Sequence, residues 1–318
     1  MAHSPNELEL VCADFNSALD LLRGLGMRLD IIYPADDPHT AFLTHDGVRI
    51  RLTSRPDAAP APARLPEFLP EFVVTHAGAA PGEGRAGMRY RDLIPGRLGG
   101  RYIASHIMIA EGGPVADWVH FHRIAVQLIC VRSGWVRVVY QDQGAPFTMA
   151  AGDMVLQPPG IRHRVLESAP GLEVVEITCP ASHETFADHD MDLPNGNGDG
   201  ARLFGGQRFL HHVAAKAPWM QWNGAEAQAT GVSEATNGLA EARILRPGAS
   251  PVITMPPHDG ELVFGFVLEG SVRLEYGEGY PLGPADSFVI PPGEAWRVTE
   301  ASGDFRLLHV TTGRMDRT

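Results

Sequence analysis

A mainly β chain, with two barrels behind a small α+β module, is predicted by three features of this 318-residue sequence. Its 35 glycines and 26 prolines suit many short strands joined by tight turns better than a helical bundle. From Met88 onward, alternating apolar and polar runs recur with Gly and Pro between them. Two stretches of that β-rich region are copies of one another. Apolar residues make up 44% and charged residues 20%, enough for a proper core and too apolar for a disordered chain. The length leads one to expect two or three compact units.

Residues 1–55 form the first unit. Glu7 to Val11 alternates like a strand. Residues 15–27 place Ala18, Leu19, Leu22 and Leu25 at helical spacing, with Asp14 or Asn16 as cap. Strands follow at 28–33, 40–44 and 48–53, the last two joined across Asp46-Gly47, a strong hairpin signal. This βαβββ order, with the run AlaAspPheAsnSerAlaLeuAspLeuLeuArgGlyLeuGlyMet and the closing GlyValArgIleArgLeu, resembles one module of the vicinal-oxygen-chelate (glyoxalase-type) superfamily. The resemblance implies metal ligands on the first and last strands. Here those strands offer Glu7, Glu9, Arg49 and Arg51, so a packing or dimerisation module is expected instead of a metal site.

Residues 56–87 begin with a Pro- and Ala-rich stretch that reads as a semi-rigid linker. A first barrel is expected at 88–190, with strands at 101–109, 118–131, 135–140, 153–157 and 172–178. A Gly/Asn-rich connection at 191–225 leads to a second barrel at 226–318. The duplication shows in GlyAspMetValLeuGlnProProGlyIleArgHis (152–163) against AlaAspSerPheValIleProProGlyGluAlaTrp (285–296). Pro158 and Gly160 map onto Pro291 and Gly293, while His122 and Gly134 map onto His258 and Gly270.

The first copy carries the chemistry. His120 and His122, two apart on a strand, project from the same face with Cα atoms about 7 Å apart. His163, just past a Pro-Pro-Gly turn, brings a third imidazole from another strand, and Gln127 follows four residues after His122. Three neutral imidazoles with one oxygen suit a first-row divalent ion and leave coordination positions open. The pattern His120-Phe-His122, Gln127, Gly134, then Gly152, Pro158-Pro-Gly160 and His163 resembles the two motifs of the cupin superfamily. That resemblance implies two jelly-roll (double-stranded β-helix) barrels and an Fe, Mn, Ni or Zn ion, Fe(II) favoured, held by His120, His122, Gln127 and His163. Gln127 stands where the family usually has Glu, so it brings no charge and acts as a weak fourth ligand or as a hydrogen-bond partner to bound water or substrate.

The second copy keeps only His258. Pro256, Val263 and Trp296 stand at the positions of His120, Gln127 and His163. It is expected to hold no metal and to be a structural partner barrel or, with Trp296, Val263 and Phe264, an apolar ligand pocket. On 101–109, Tyr102, Ala104, His106 and Met108 share one face. If that face is interior, His106 touches substrate; otherwise it is a satisfied sheet histidine. The polar run His183-Glu184 to Asp190 is expected to be a solvated loop or a subunit contact, and Cys130 a buried strand residue.

The net charge of −12, without a basic block, argues against nucleic-acid and anionic-membrane surfaces as partners. Three scattered cysteines exclude a disulfide scaffold and point to a reducing cytosol. Met1 to Pro5 show no secretory pattern, no run approaches a membrane span, and a cytoplasmic protein is expected. Lys216 is the sole lysine, a bias associated with GC-rich bacterial genomes. The leading expectation is a cupin-type dioxygenase acting on a small organic acid, phenol or diketone, since an open three-imidazole centre can chelate such a substrate beside O₂. Bicupins resembling this one include ring-cleaving dioxygenases. The alternatives are a redox-neutral lyase, isomerase or hydrolase using Zn, Mn or Ni, and a non-catalytic small-ligand sensor. Sheet edges that need cover point to a homodimer.

Overall fold

The computed structural model describes residues 7–58, 61–62, 64–78, 81–83, 88–196 and 198–315, so the targeting expectation for Met1 to Pro5 lies outside it. It opens with the expected module: strand Glu7–Val11, helix Phe15–Gly24, then strands Arg28–Tyr33, Thr40–His45 and Val48–Thr53. Asp14 caps the helix by accepting from the Ser17 N–H at 3.0 Å. The helix stops at Gly24, short of Met27, because Leu25 caps it and Gly26 takes a left-handed φ of 89°. Phe15, Leu19 and Leu22 are therefore its buried face, and Leu25 is left exposed.

The module's sheet does not end at its own boundary. Its order runs from Glu7–Val11 through Val48–Thr53, Thr40–His45 and Arg28–Tyr33 to a short strand, Thr185–Ala187. That strand continues into His120–His122, His163–Ser168, Trp135–Tyr140 and Phe147–Ala150 of the first barrel. Phe186 pairs with Ile31 on one side and with Phe121 on the other. The polar run expected as a loop or subunit contact is thus an internal splice between module and barrel. Its polar residues serve that joint: His189 Nε2 donates to Leu29 O at 2.7 Å, and Asp188 accepts from Arg162 at 2.9 Å.

The opposite sheet of the first barrel holds Leu210–His212, Met154–Leu156, Val126–Ser133, Leu172–Cys179, Ile103–Ile109, Arg89–Asp92 and Gly82–Glu83. The run expected as one strand over 118–131 is two, His120–His122 and Val126–Ser133, which lie in different sheets. Arg123 to Ala125 make the corner between them. In the second barrel, Ala240–Pro247, Arg306–Thr312, Val263–Glu269 and Ser287–Val289 face Ile253–Met255, Trp296–Thr299, Val272–Tyr276 and Glu278–Leu282. Within the stretch expected as linker, Val73–Thr75 pairs with Ser287–Val289 and completes the second barrel's sheet. Within the expected connection, Leu210–His212 does the same for the first barrel.

Strand parity sorts the apolar residues. Val136, Val138, Met149, Val155 and Val174 fill the first barrel. Met255, Val263, Phe288, Trp296 and Leu307 fill the second. The outward faces of the two barrels share one cluster that joins Leu128, Cys130, Val175 and Ile177 to Phe264, Phe266, Leu308 and Val310. Phe264 therefore packs between the barrels, not with Val263 and Trp296 as expected, because adjacent strand residues point oppositely. Among the described residues no helix is long and apolar enough to cross a membrane.

Candidate metal centre

His120 and His163 are direct cross-strand partners, and His122 follows on the same face as His120. The three rings are buried, with centroids 4.1 to 5.2 Å apart. One ligand nitrogen from each lies within 4.8 Å of the other two. The outer nitrogens fix the rings. His120 Nδ1–H donates to Trp118 O at 2.7 Å, with Asp117 Oδ1 at 3.5 Å. His163 Nδ1–H donates to Ile161 O at 3.1 Å, and His122 Nδ1 shares a hydrogen bond of 3.1 Å with Thr185 Oγ1. His120 and His163 thereby present their Nε2 lone pairs to the shared centre, the tautomer a cation needs, and the Thr185 hydroxyl, able to donate or accept, leaves the same tautomer open to His122. His183 stands edge-on to His122 with centroids 5.3 Å apart and supports that ring from behind. The donor set fits a first-row divalent ion with positions left open.

Gln127 is placed differently from its expected role. It is buried in the opposite sheet, and its Oε1 accepts from Gln157 Nε2 at 2.8 Å. Gln157 in turn lies 3.1 Å from His163 Nε2 and lines the cavity, so it stands between Gln127 and the imidazoles. Gln127 is a partner of the residue beside the centre. Spacing could not reveal this, although one signal was available: Gln157 is a lone amide ending the apolar run MetValLeu.

His106 takes the second of its two expected roles, and its place against substrate is the one that falls away. Ile107 and Ile109 line the cavity, so parity turns His106 toward the second barrel. There its Nε2–H donates to Glu173 at 2.7 Å, and its ring meets Phe266 edge-on at 5.6 Å. Burial holds the imidazole below its ordinary value. It is a satisfied sheet histidine.

The cavity beside the three rings measures about 90 Å³. At roughly 10–15 Å³ per water it admits a compact organic molecule. Most of its wall is aliphatic: Ile107, Ile129, Val136, Val138, Val155 and Val174. Two more polar groups face it that sequence spacing did not single out. Tyr140 stacks on His163, with centroids 5.5 Å apart, and its hydroxyl donates to Gln157 Oε1 at 2.6 Å. Burial, then the charges of Glu176 and Asp117, push its pKa far up, so the phenol keeps its proton. Glu176 brings a carboxylate to the lining, and the exposed Arg164 stands at the rim.

In the second barrel the same places are apolar. Met255 pairs with Trp296 as His120 pairs with His163, so the ladder puts Met255, not Pro256, in the place of His120. Gly293 N–H donates to His258 O as Gly160 N–H donates to His122 O, so His258 keeps the place of His122. His258 Nε2–H is used on Thr312 O at 2.9 Å.

A cupin-domain family model matches residues 243–311, the second barrel, outside the three-histidine site. No curated protein matches the sequence. Among solved structures, a putative glyoxylate-induced protein of Pseudomonas aeruginosa is 14% identical with a TM-score of 0.56, over 80% of this chain and 94% of that one. The salicylate 1,2-dioxygenase of Pseudaminobacter salicylatoxidans is 18% identical with a TM-score of 0.55, over 78% and 86%. An oxalate decarboxylase of Bacillus subtilis is 10% identical with a TM-score of 0.52, over 82% and 80%. At these identities the likeness is one of fold. It does not extend the glyoxalase-type resemblance of the first module beyond element order.

Proposed function

We propose, from the premise that this chain is a cupin-superfamily protein with two barrels, that it is a metal-dependent enzyme whose first barrel is catalytic and whose second is structural. The convergence of His120, His122 and His163 on one wall of an otherwise aliphatic cavity carries the reading. The finer proposal is an Fe(II)-type dioxygenase acting on a small organic acid, phenol or diketone. Bound Fe(II) supplies a Lewis-acidic redox centre with open positions for a chelating substrate and O₂.

The chain's own groups do the rest. The three imidazoles would hold the ion, with Trp118 O and Ile161 O fixing the tautomers of His120 and His163 and Thr185 Oγ1 steadying the His122 ring. The aliphatic wall excludes water and favours a flat or apolar substrate body. Tyr140 remains a donor at any physiological pH, and the Glu176 carboxylate can take a proton from a substrate hydroxyl. That the fold also serves a salicylate dioxygenase supports the reading. O₂ uptake by the Fe(II)-loaded protein with a panel of small phenols, acids and diketones tests it, and turnover that persists under nitrogen would refute it.

Glu176 also favours a second reading, a redox-neutral lyase, isomerase or hydrolase using Zn, Mn or Ni, because a carboxylate in the cavity is a general base needing no O₂. That turnover under nitrogen would be its signature. A cytoplasmic location belongs to the same proposal, supported by Cys12, Cys130 and Cys179 being reduced thiols.

A further inference from the structure

Gln157 is buried, 2% exposed, and its amide touches three groups. Nε2 faces Gln127 Oε1 at 2.8 Å and His163 Nε2 at 3.1 Å, while Oε1 accepts from the Tyr140 hydroxyl at 2.6 Å. Since His163 gives its Nδ1–H to Ile161 O, the nitrogen that meets Gln157 is the lone-pair nitrogen. An amide N–H cannot stay on that lone pair once a cation takes it. Turning the terminal amide through 180° exchanges its ends, bringing Oε1 beside His163 and Gln127 and Nε2 beside the Tyr140 oxygen.

For a buried amide such a turn is costly unless its neighbours change roles with it. Here both can. A tyrosine hydroxyl donates or accepts, and Gln127 carries both a carbonyl oxygen and an NH₂. A carboxylate at position 127 would accept only and would hold the Gln157 N–H end in place. The neutral amide at 127 is what makes the turn possible.

The duplication supplies an independent observation. Ile290 N–H donates to Val263 O at 3.0 Å as Gln157 N–H donates to Gln127 O at 2.9 Å, so the two glutamines correspond to Val263 and Ile290. The barrel with Met255 and Trp296 in place of two imidazoles has also replaced both amides. The pair therefore goes with the centre and is not part of the barrel architecture.

We infer that Gln157 is a two-position amide. It donates to His163 Nε2 when no ion is bound, and presents Oε1 as the fourth protein donor when a divalent first-row cation binds, while Gln127 and Tyr140 exchange donor and acceptor roles. The Tyr140 hydroxyl hydrogen then turns into the cavity, toward a substrate oxygen. The inference rests on the metal-centre reading above.

Cobalt(II) titration of the native protein and of Gln157→Leu, Gln157→Glu and Gln127→Leu tests it. The native protein gives a one-site d–d spectrum. Gln157→Leu weakens binding by about tenfold or more and alters the band intensity, since an oxygen donor is lost. Gln157→Glu, near-isosteric and able only to accept, tightens binding by about tenfold. Gln127→Leu keeps the native band shape. Native affinity and spectrum in Gln157→Glu would overturn the inference, even if the leucine variant fails to fold. No cobalt spectrum in the native protein would overturn the metal centre itself, so the two failures are distinguishable.

Discussion

His309 is the most strongly shifted imidazole in the second barrel. Burial, then His258 and Arg243, push its pKa down to about 3, and its ring sits between Trp222 and Trp296 with centroids 5.8 and 5.7 Å away. In the unfolded chain it titrates near 6.5. Between those values the unfolded state holds the extra proton, so stability is complete above about pH 6.5 and declines as pH falls toward 3. The slope reaches about 1.4 kcal/mol per pH unit. We expect urea unfolding at pH 5.5 against pH 7.5 to show a smaller loss in His309→Leu than in the native protein. Equal losses would refute the assignment. The three imidazoles of the first barrel differ in kind, because His120 and His163 spend their Nδ1–H groups on backbone carbonyls and one nitrogen of each of the three rings converges on a shared point.

At the scale of elements, the second barrel's strand Val263–Glu269 shows how that interior is filled. Gly265 lies directly beneath the Phe288 ring, and a Cβ there would drive into it. Phe288 also meets Trp296 edge-on at 5.1 Å. Gly265→Ala is expected to cost about 1–3 kcal/mol by overpacking, read as a lowered melting temperature. An unchanged or raised value would mean that the barrel has room to spare. The strands themselves were largely legible: Arg28–Tyr33, Val48–Thr53 and Trp135–Tyr140 fall where alternation puts them, and the spacing of His120, His122 and His163 announced that their rings converge. Long-range pairing was hidden. Nothing local marks Thr185–Ala187 as a splice, because its polar flanks look solvated until Leu29, Arg162 and Phe121 supply their partners. Parity hid His106 and the register hid Met255, since a single-residue slip turns a side chain to the other face.

At the scale of the molecule, the barrels are held by a shared apolar face and a buried ion pair. Arg101 reaches Glu261 through two hydrogen bonds of 2.9 and 2.7 Å, and Tyr102 adds a third to the same carboxylate. Glu261→Ala would leave a guanidinium that is 2% exposed without its carboxylate, and we expect a loss of about 3–5 kcal/mol in denaturant unfolding. A loss below about 1 kcal/mol would show that water reaches Arg101. At the other end, Glu7–Val11 is, among the described residues, the outermost strand of its sheet, with Leu8 61% and Leu10 42% exposed. An apolar edge of this kind calls for cover. We propose that a second copy supplies it, giving a homodimer in light scattering at micromolar concentration that Leu10→Arg converts to monomer. A monomeric native protein would end that proposal.

The most direct test is metal analysis of untagged protein purified anaerobically, beside His163→Ala prepared in parallel. We expect one first-row divalent ion per native chain, placed between His120, His122 and His163 by anomalous scattering, and none in the variant. Equal metal content in both, or an ion seated anywhere else, would contradict it.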